Sequence, residues 1–139
     1  QCWLRPLSIS MLSHMNLIYL GSIHVKDDMS PINEDSATTV IDSAIVRREI
    51  GQRKIEVTVE ISPTRIRIRA NEEVIEIIGL SSLEFSYCYF DGERYNVVLV
   101  SRSSRTLSAS TVHVLRAGDK TNAINFVAAI STAFSKLLR

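Results

Sequence analysis

The strongest constraint on this chain is a change of hydrophobic period at Gly51. Beyond it, Ile55, Val57, Val59 and Ile61 alternate with Glu56, Thr58 and Glu60. After Ser62-Pro63-Thr64, Ile66 and Ile68 alternate with Arg65, Arg67 and Arg69. Successive side chains of a strand point to opposite faces, so each run has one apolar and one charged face. An antiparallel hairpin with one face dry and the other wet accommodates that pattern. With Ser62 opposite Arg65, Glu60 meets Arg67 and Thr58 meets Arg69 on the wet side.

Ahead of the switch, the period is helical. Ala37, Val40, Ile41, Ala44 and Ile45 recur at three and four residues, with Asp35 or Ser36 as N-cap and Gly51 as terminator. A polar loop from Lys26 to Asp35 containing Pro31 separates this helix from a first strand at Leu17–Val25, where Gly21 suggests a bulge. Further strands are expected at Val74–Ile78, Leu83–Tyr89, Tyr95–Ser101 and Thr111–Arg116, with turns at Gly79 and Asp91-Gly92. A Ser/Arg-rich connection spans Ser101 to Ser110. A last helix from Lys120 to Leu138, opened by Gly118-Asp119, carries Ile124, Val127, Ala128, Ile130, Phe134, Leu137 and Leu138 as its apolar stripe. No strand-helix-strand alternation occurs, which argues against a parallel sheet. The expected class is α+β, mainly β with two helices. About seven antiparallel strands form an orthogonal sandwich or partly closed barrel, with a helix after strand 1 and a C-terminal helix capping one opening.

Length and charge narrow the function. A chain of 139 residues makes one domain that buries roughly 68% of its unfolded surface, enough to need no metal or disulfide staple. Sixteen Lys and Arg against fifteen Asp and Glu leave a net charge of +1, which argues against a nucleic-acid binder. Cys2 and Cys88 are too few for a disulfide framework. No apolar stretch approaches the ~20 residues of a membrane span, and the absence of an Asn-x-Ser/Thr sequon favours an intracellular chain. Residues 1–15 read as a tail, with Ser13-His14-Met15 matching a common cloning junction, and residues 16–139 as the domain. His14, His24 and His113 lack metal-ligand spacing, and His113 reads as a strand-surface residue. Cys88 reads as a small hydrophobe, Glu72-Glu73 as a solvated hairpin tip, and the five glycines are too dispersed for a phosphate loop. No catalytic residue, cofactor or metal is expected.

The stretch Asn16-Leu-Ile-Tyr-Leu-Gly-Ser22 resembles the opening strand of phosphotyrosine-binding domains. An Ala/Ile-faced helix (Ala37 to Arg48) follows it, and Leu83-Glu-Phe-Ser-Tyr-Cys88 is similar to that family's fifth strand. Val112-His113-Val114 and Ile130-Ser-Thr-Ala-Phe134 resemble its later strand and terminal helix, in the same order along the chain. The resemblance covers residues 16–138. It implies a pleckstrin-homology-like superfold, with two nearly orthogonal sheets and a capping helix. It also implies a cytoplasmic adaptor or scaffold, including at the inner membrane surface, that binds a short Asn-Pro-x-Tyr-like peptide from a receptor tail or signalling protein. The peptide would add a strand beside Leu83, Glu84, Phe85, Ser86, Tyr87 and Cys88, with Val127, Ile130, Ser131 and Phe134 on the helix side of the groove. Phosphate recognition needs converging cations. Leu83 to Tyr89 has none, and the candidates for phosphate or lipid contacts are Arg94, Arg102 and Arg105, so binding that is phosphate-independent or only weakly enhanced by phosphate is expected.

Two other readings belong to different classes. Arg65, Arg67 and Arg69, with Arg53 and Lys54 nearby, could bind anionic membrane lipids, against a cross-strand ladder with Glu56 and Glu60. An open sheet edge could also pair with a second copy of the chain. Arg105 to Ser108 has the spacing that basophilic kinases accept, and phosphate there would reverse the local basic character.

Overall fold

The computed structural model describes residues 13–26, 32–103 and 109–138. Its strands are β1 (Ser13–Val25), β2 (Ile55–Ile61), β3 (Arg65–Ala70), β4 (Glu73–Gly79), β5 (Leu83–Phe90), β6 (Tyr95–Arg102) and β7 (Ser110–Ala117). Helix α1 (Glu34–Val46) follows β1 and helix α2 (Lys120–Leu137) follows β7. The molecule is mainly β with two helices, and its neighbouring strands all pair antiparallel.

The hydrogen bonding joins the strands into one continuous sheet, ordered β4-β3-β2-β1-β7-β6-β5, and not into the two separate sheets that a sandwich, one of the two arrangements expected, would have. The reason is β1. Its first part, Ser13–Tyr19, pairs with β2, and its second, Ile18–Val25, pairs with β7. The register shifts between Tyr19 and Gly21, and such a bulge bends a strand and increases its twist. Gly21 has φ +134°, and a Cβ there would lie 2.9 Å from Ile50 Cγ2. Only glycine meets both demands. The strand also starts inside the expected tail: Ser13, His14 and Met15 pair with Ile61, Glu60 and Val59. Met15 packs on the core, continuing the alternation of Leu17. Residues 1–12 lie outside the described residues.

The sheet curls over one core and carries a second on its back. In the first, Val59, Ile61, Ile66 and Ile68 of β2 and β3 meet Val97, Leu99 and Leu115 of β6 and β7, closed by Phe126 and Ile130 of α2. In the second, Ala37, Ile41 and Ala44 of α1 cover Val98, Val100, Val112 and Val114. β6 is therefore dry on both faces, and Val97–Val100 is a continuous buried run. β2 and β3 keep one wet face, in the expected register: Glu60 stands opposite Arg67 and Thr58 opposite Arg69.

The helix ends differ in detail from the sequence expectation. Asn33, not Asp35 or Ser36, is the N-cap of α1: its Oδ1 accepts from the Ser36 N–H, and the Ser36 hydroxyl accepts from the Asn33 N–H, each at 2.9 Å. This reciprocal box places Glu34 and Asp35 in the first turn, where the helix dipole favours them. Arg48 (φ +62°), rather than Gly51, takes the left-handed position just past the helix.

Candidate functional site

Among the described residues, the two ends of the strand order, β4 and β5, each have an edge with no strand partner. α2 runs beside β5 because its buried face is Ala123, Phe126, Ile130 and Ala133, spaced by three and four residues. Ala123, Phe126 and Ala133 lie outside the stripe expected from the sequence, which shares only Ile130 with the buried face. The small residues seat the helix close to the sheet, and Phe126 fills the gap. Ile124, Ala128 and Leu138, expected in the stripe, are exposed. Val127 and Phe134 flank the buried face and are only partly buried against the core. That is what a residue serving both core and groove requires.

Between β5 and α2 lies a groove of about 170 Å³, lined by Leu83, Glu84, Phe85, Ser86, Ile130, Ser131 and Phe134. It gathers seven of the ten residues expected for peptide contact. Cys88 packs on the first core farther along β5, as does Val127 on α2. Tyr87 differs most from expectation. Its ring is buried on the α1 side, where its hydroxyl donates to the Glu34 carbonyl (3.2 Å) and lies 2.8 Å from Thr38 Oγ1. Phe85, Tyr87 and Tyr89 stack along that face, with centroids 5.9 and 6.0 Å apart. Tyr87 can therefore meet a ligand only through its backbone. Burial raises the pKa of its phenol, consistent with an anchoring role.

The charge of the groove comes from Glu84 alone among its lining residues. The carboxylate accepts a 2.6 Å hydrogen bond from the Ser110 hydroxyl, which holds a negative charge at the mouth. Of the candidate phosphate contacts, Arg94 and Arg102 do not converge. Arg94 precedes β6 and Arg102 ends it, eight residues or about 26 Å apart along a strand. Arg102 also donates to the Ser81 carbonyl at 2.7 Å, pinning the turn that leads into β5. Arg105 and Ser108 lie outside the described residues.

On the wet face of β2 and β3, Arg67 donates to Glu60 Oε1 through Nε (3.1 Å) and Nη2 (2.8 Å), and Arg69 Nη2 donates to Oε2 (3.1 Å). The hydrogen bond from Arg67 is the largest influence lowering the Glu60 carboxyl's pKa, opposed by partial burial and supported by the Arg69 charge. Two of the arginines considered for lipid are thus committed to an internal carboxylate.

His113, expected at a strand surface, is 3% exposed. It stands on the inner face of β7, two residues from Leu115, and burial lowers its pKa to about 4. The alternation of Val112-His113-Val114 located a strand but could not show that both faces of β7 are covered. Among the described residues no group of three or more His, Cys, Asp or Glu is placed to hold a metal ion. No helix among them is long and apolar enough to cross a membrane.

Comparison with protein-family models gives no match, and no curated protein matches the chain.

Proposed function

We propose that this chain is a peptide-capture module of the pleckstrin-homology-like, phosphotyrosine-binding type, working as a cytoplasmic adaptor or scaffold. A short extended segment adds to the sheet as an eighth strand along β5, and an apolar side chain of that segment enters the groove against Ile130 and Phe134. The observation that carries this reading is the open edge of β5 beside the half-buried Phe134. An unpaired edge offers alternate N–H and C=O groups to a visiting backbone, and the flanking apolar pocket supplies selectivity. The resemblance at Leu83–Cys88 and Ile130–Phe134 supports the same two elements.

The ligand class is an Asn-Pro-x-Tyr-like peptide bound without need of phosphate. Glu84 is the charge nearest the groove, and it would repel a phosphoryl group rather than hold one. Arg94 and Arg102 are too far apart to clamp it together. Titration of matched plain and phosphorylated peptides, read by fluorescence anisotropy, tests this. Affinities within about tenfold of each other are expected. A preference of more than about a hundredfold for the phosphorylated peptide, equivalent to roughly 2.7 kcal/mol, would overturn phosphate independence. No measurable binding of either peptide would count against the ligand class.

A further inference from the structure

The inner face of the sheet changes character along its length. Three rows cross β1, β7 and β6 on that face. The first, Tyr19–Leu115–Val97, belongs to the apolar core. The second is Ser22–His113–Leu99 and the third His24–Thr111–Ser101, so five of these six positions are polar. His113, Ser101 and Thr111 are nevertheless buried. Opposite them stands Glu76 of β4. It pairs with Ile68 and lies two residues from Ile78, both core residues, so its side chain shares their inward face. Burying polar groups between two apolar layers is costly unless each finds a partner.

These residues enclose a cavity of about 350 Å³ that opens to solvent, room for roughly ten waters or one small organic molecule. Partners exist on one wall: His24 Nδ1 lies 3.2 Å from Thr111 Oγ1, and Tyr19 Oη lies 3.5 Å from His113 Nδ1. Glu76 makes no ion pair among the described residues, and burial raises its pKa, opposed first by the charge of His24 and then by a hydrogen bond from the Ile77 backbone. Arg102, at the rim, donates to the Ser81 carbonyl. An inward carboxylate on an edge strand can serve simply to discourage strand addition. That role does not account for the hydroxyls and imidazoles facing it from β1, β6 and β7.

We infer that this cavity is a second binding site, separate from the β5 groove, for a protonated primary amine held by the Glu76 carboxylate and by hydroxyls of the facing wall. An ammonium group donates three hydrogen bonds, and Glu76, Ser22, Ser101 and Thr111 offer acceptors around one volume. The amine can belong to a free small molecule or to a lysine side chain, because the same head group enters in both cases.

The test is a titration of the intact chain at pH 7 with n-butylammonium, N-acetyl-lysine amide and butyrate, read from backbone amide and imidazole NMR shifts. Saturable shifts at Ser22, His24, Glu76 and Thr111 with n-butylammonium are expected, and none with butyrate. Response to both amines assigns the head group alone, whereas response to N-acetyl-lysine amide alone assigns a lysine side chain; both support the site. In Glu76→Gln, which keeps shape and removes charge, amine affinity should fall about tenfold. Butyrate binding as well as the amines, or no saturable shift with either amine, overturns the proposal, and these wild-type results decide it even if Glu76→Gln folds poorly.

Discussion

The two open edges of the sheet are built to opposite ends. β4 carries Glu73 and Glu76, and its pairing with β3 slips between Ile68 and Arg69, as that of β5 with β6 does between Leu83 and Phe85. Charge is one way in which natural sheets keep an edge from recruiting another chain. β5 has eight residues, backs onto a ring stack that fixes it to α1, and lies beside α2 with a groove between them. Both edges have unpaired backbone groups among the described residues, but β5 has an apolar pocket next to them, whereas the cavity beside β4 is lined by Glu76, His24 and hydroxyls. Edge availability alone therefore does not make a docking site. The neighbouring helix does, and removing or altering that helix should erase the difference.

The largest effect is expected from Phe126→Ala. Phe126 is fully buried and seats α2 beside β5, so its loss should cost about 3–5 kcal/mol in urea denaturation. A cost below about 1 kcal/mol would mean that α2 is not held as described.

The second test concerns acid stability at the polar end of the inner face. His113 has its pKa lowered from 6.5 to about 4, so between those values the unfolded chain binds more protons than the folded one. Stability should thus be full above pH 6.5 and fall as pH drops toward 4, by about 3 kcal/mol if the whole difference is expressed. His113→Phe should remove most of that slope. An equally steep loss in the variant would place the acid sensitivity elsewhere. Glu60 contributes in a lower window: with its pKa depressed by Arg67, its stabilisation is present above the ordinary carboxylate range and lost as pH falls through its folded value.

Phe134→Val tests the groove more gently, since it keeps apolar contact with the core. Peptide affinity should fall roughly tenfold while the melting temperature moves only a few degrees. Loss of stability with peptide affinity retained would make Phe134 a core residue only. The smallest effect tests the guarded edge: Glu73→Val removes one exposed charge from β4, and weak self-association by sedimentation velocity is expected without a change in folding stability beyond about 0.5 kcal/mol. An unchanged monomer at high concentration would show that Glu73 is not what protects that edge.

How much of this was legible depended on how many faces of an element are covered. The β2–β3 hairpin is wet on one side, so its alternation gave both strands and their register, including Glu60 opposite Arg67. β6 and β7 are covered on both sides, so Val97–Val100 located a strand without telling inside from outside. For the same reason His113 was misplaced and the facing directions of Phe85 and Tyr87 were not foreseen. The strand Leu83–Tyr89 and the place of Phe134 on the last helix came from the residue pattern, and their assignment to one groove from the resemblance to phosphotyrosine-binding domains. The seating of α2 was hidden because it relies on Ala123 and Ala133, small side chains with little hydrophobic weight. The polar rows behind Glu76 were invisible because their members come from three separate strands.

The most direct test of the central claim is where a bound peptide lands. Backbone amide shifts and hydrogen exchange should be followed while a plain Asn-Pro-x-Tyr peptide is added to the chain. The account predicts new protection at alternate amides between Leu83 and Tyr89, with side-chain shifts at Ile130 and Phe134 and no change along Glu73–Gly79. Protection appearing on β4, or shifts confined to the Arg65–Arg69 face while β5 exchanges as before, would contradict it.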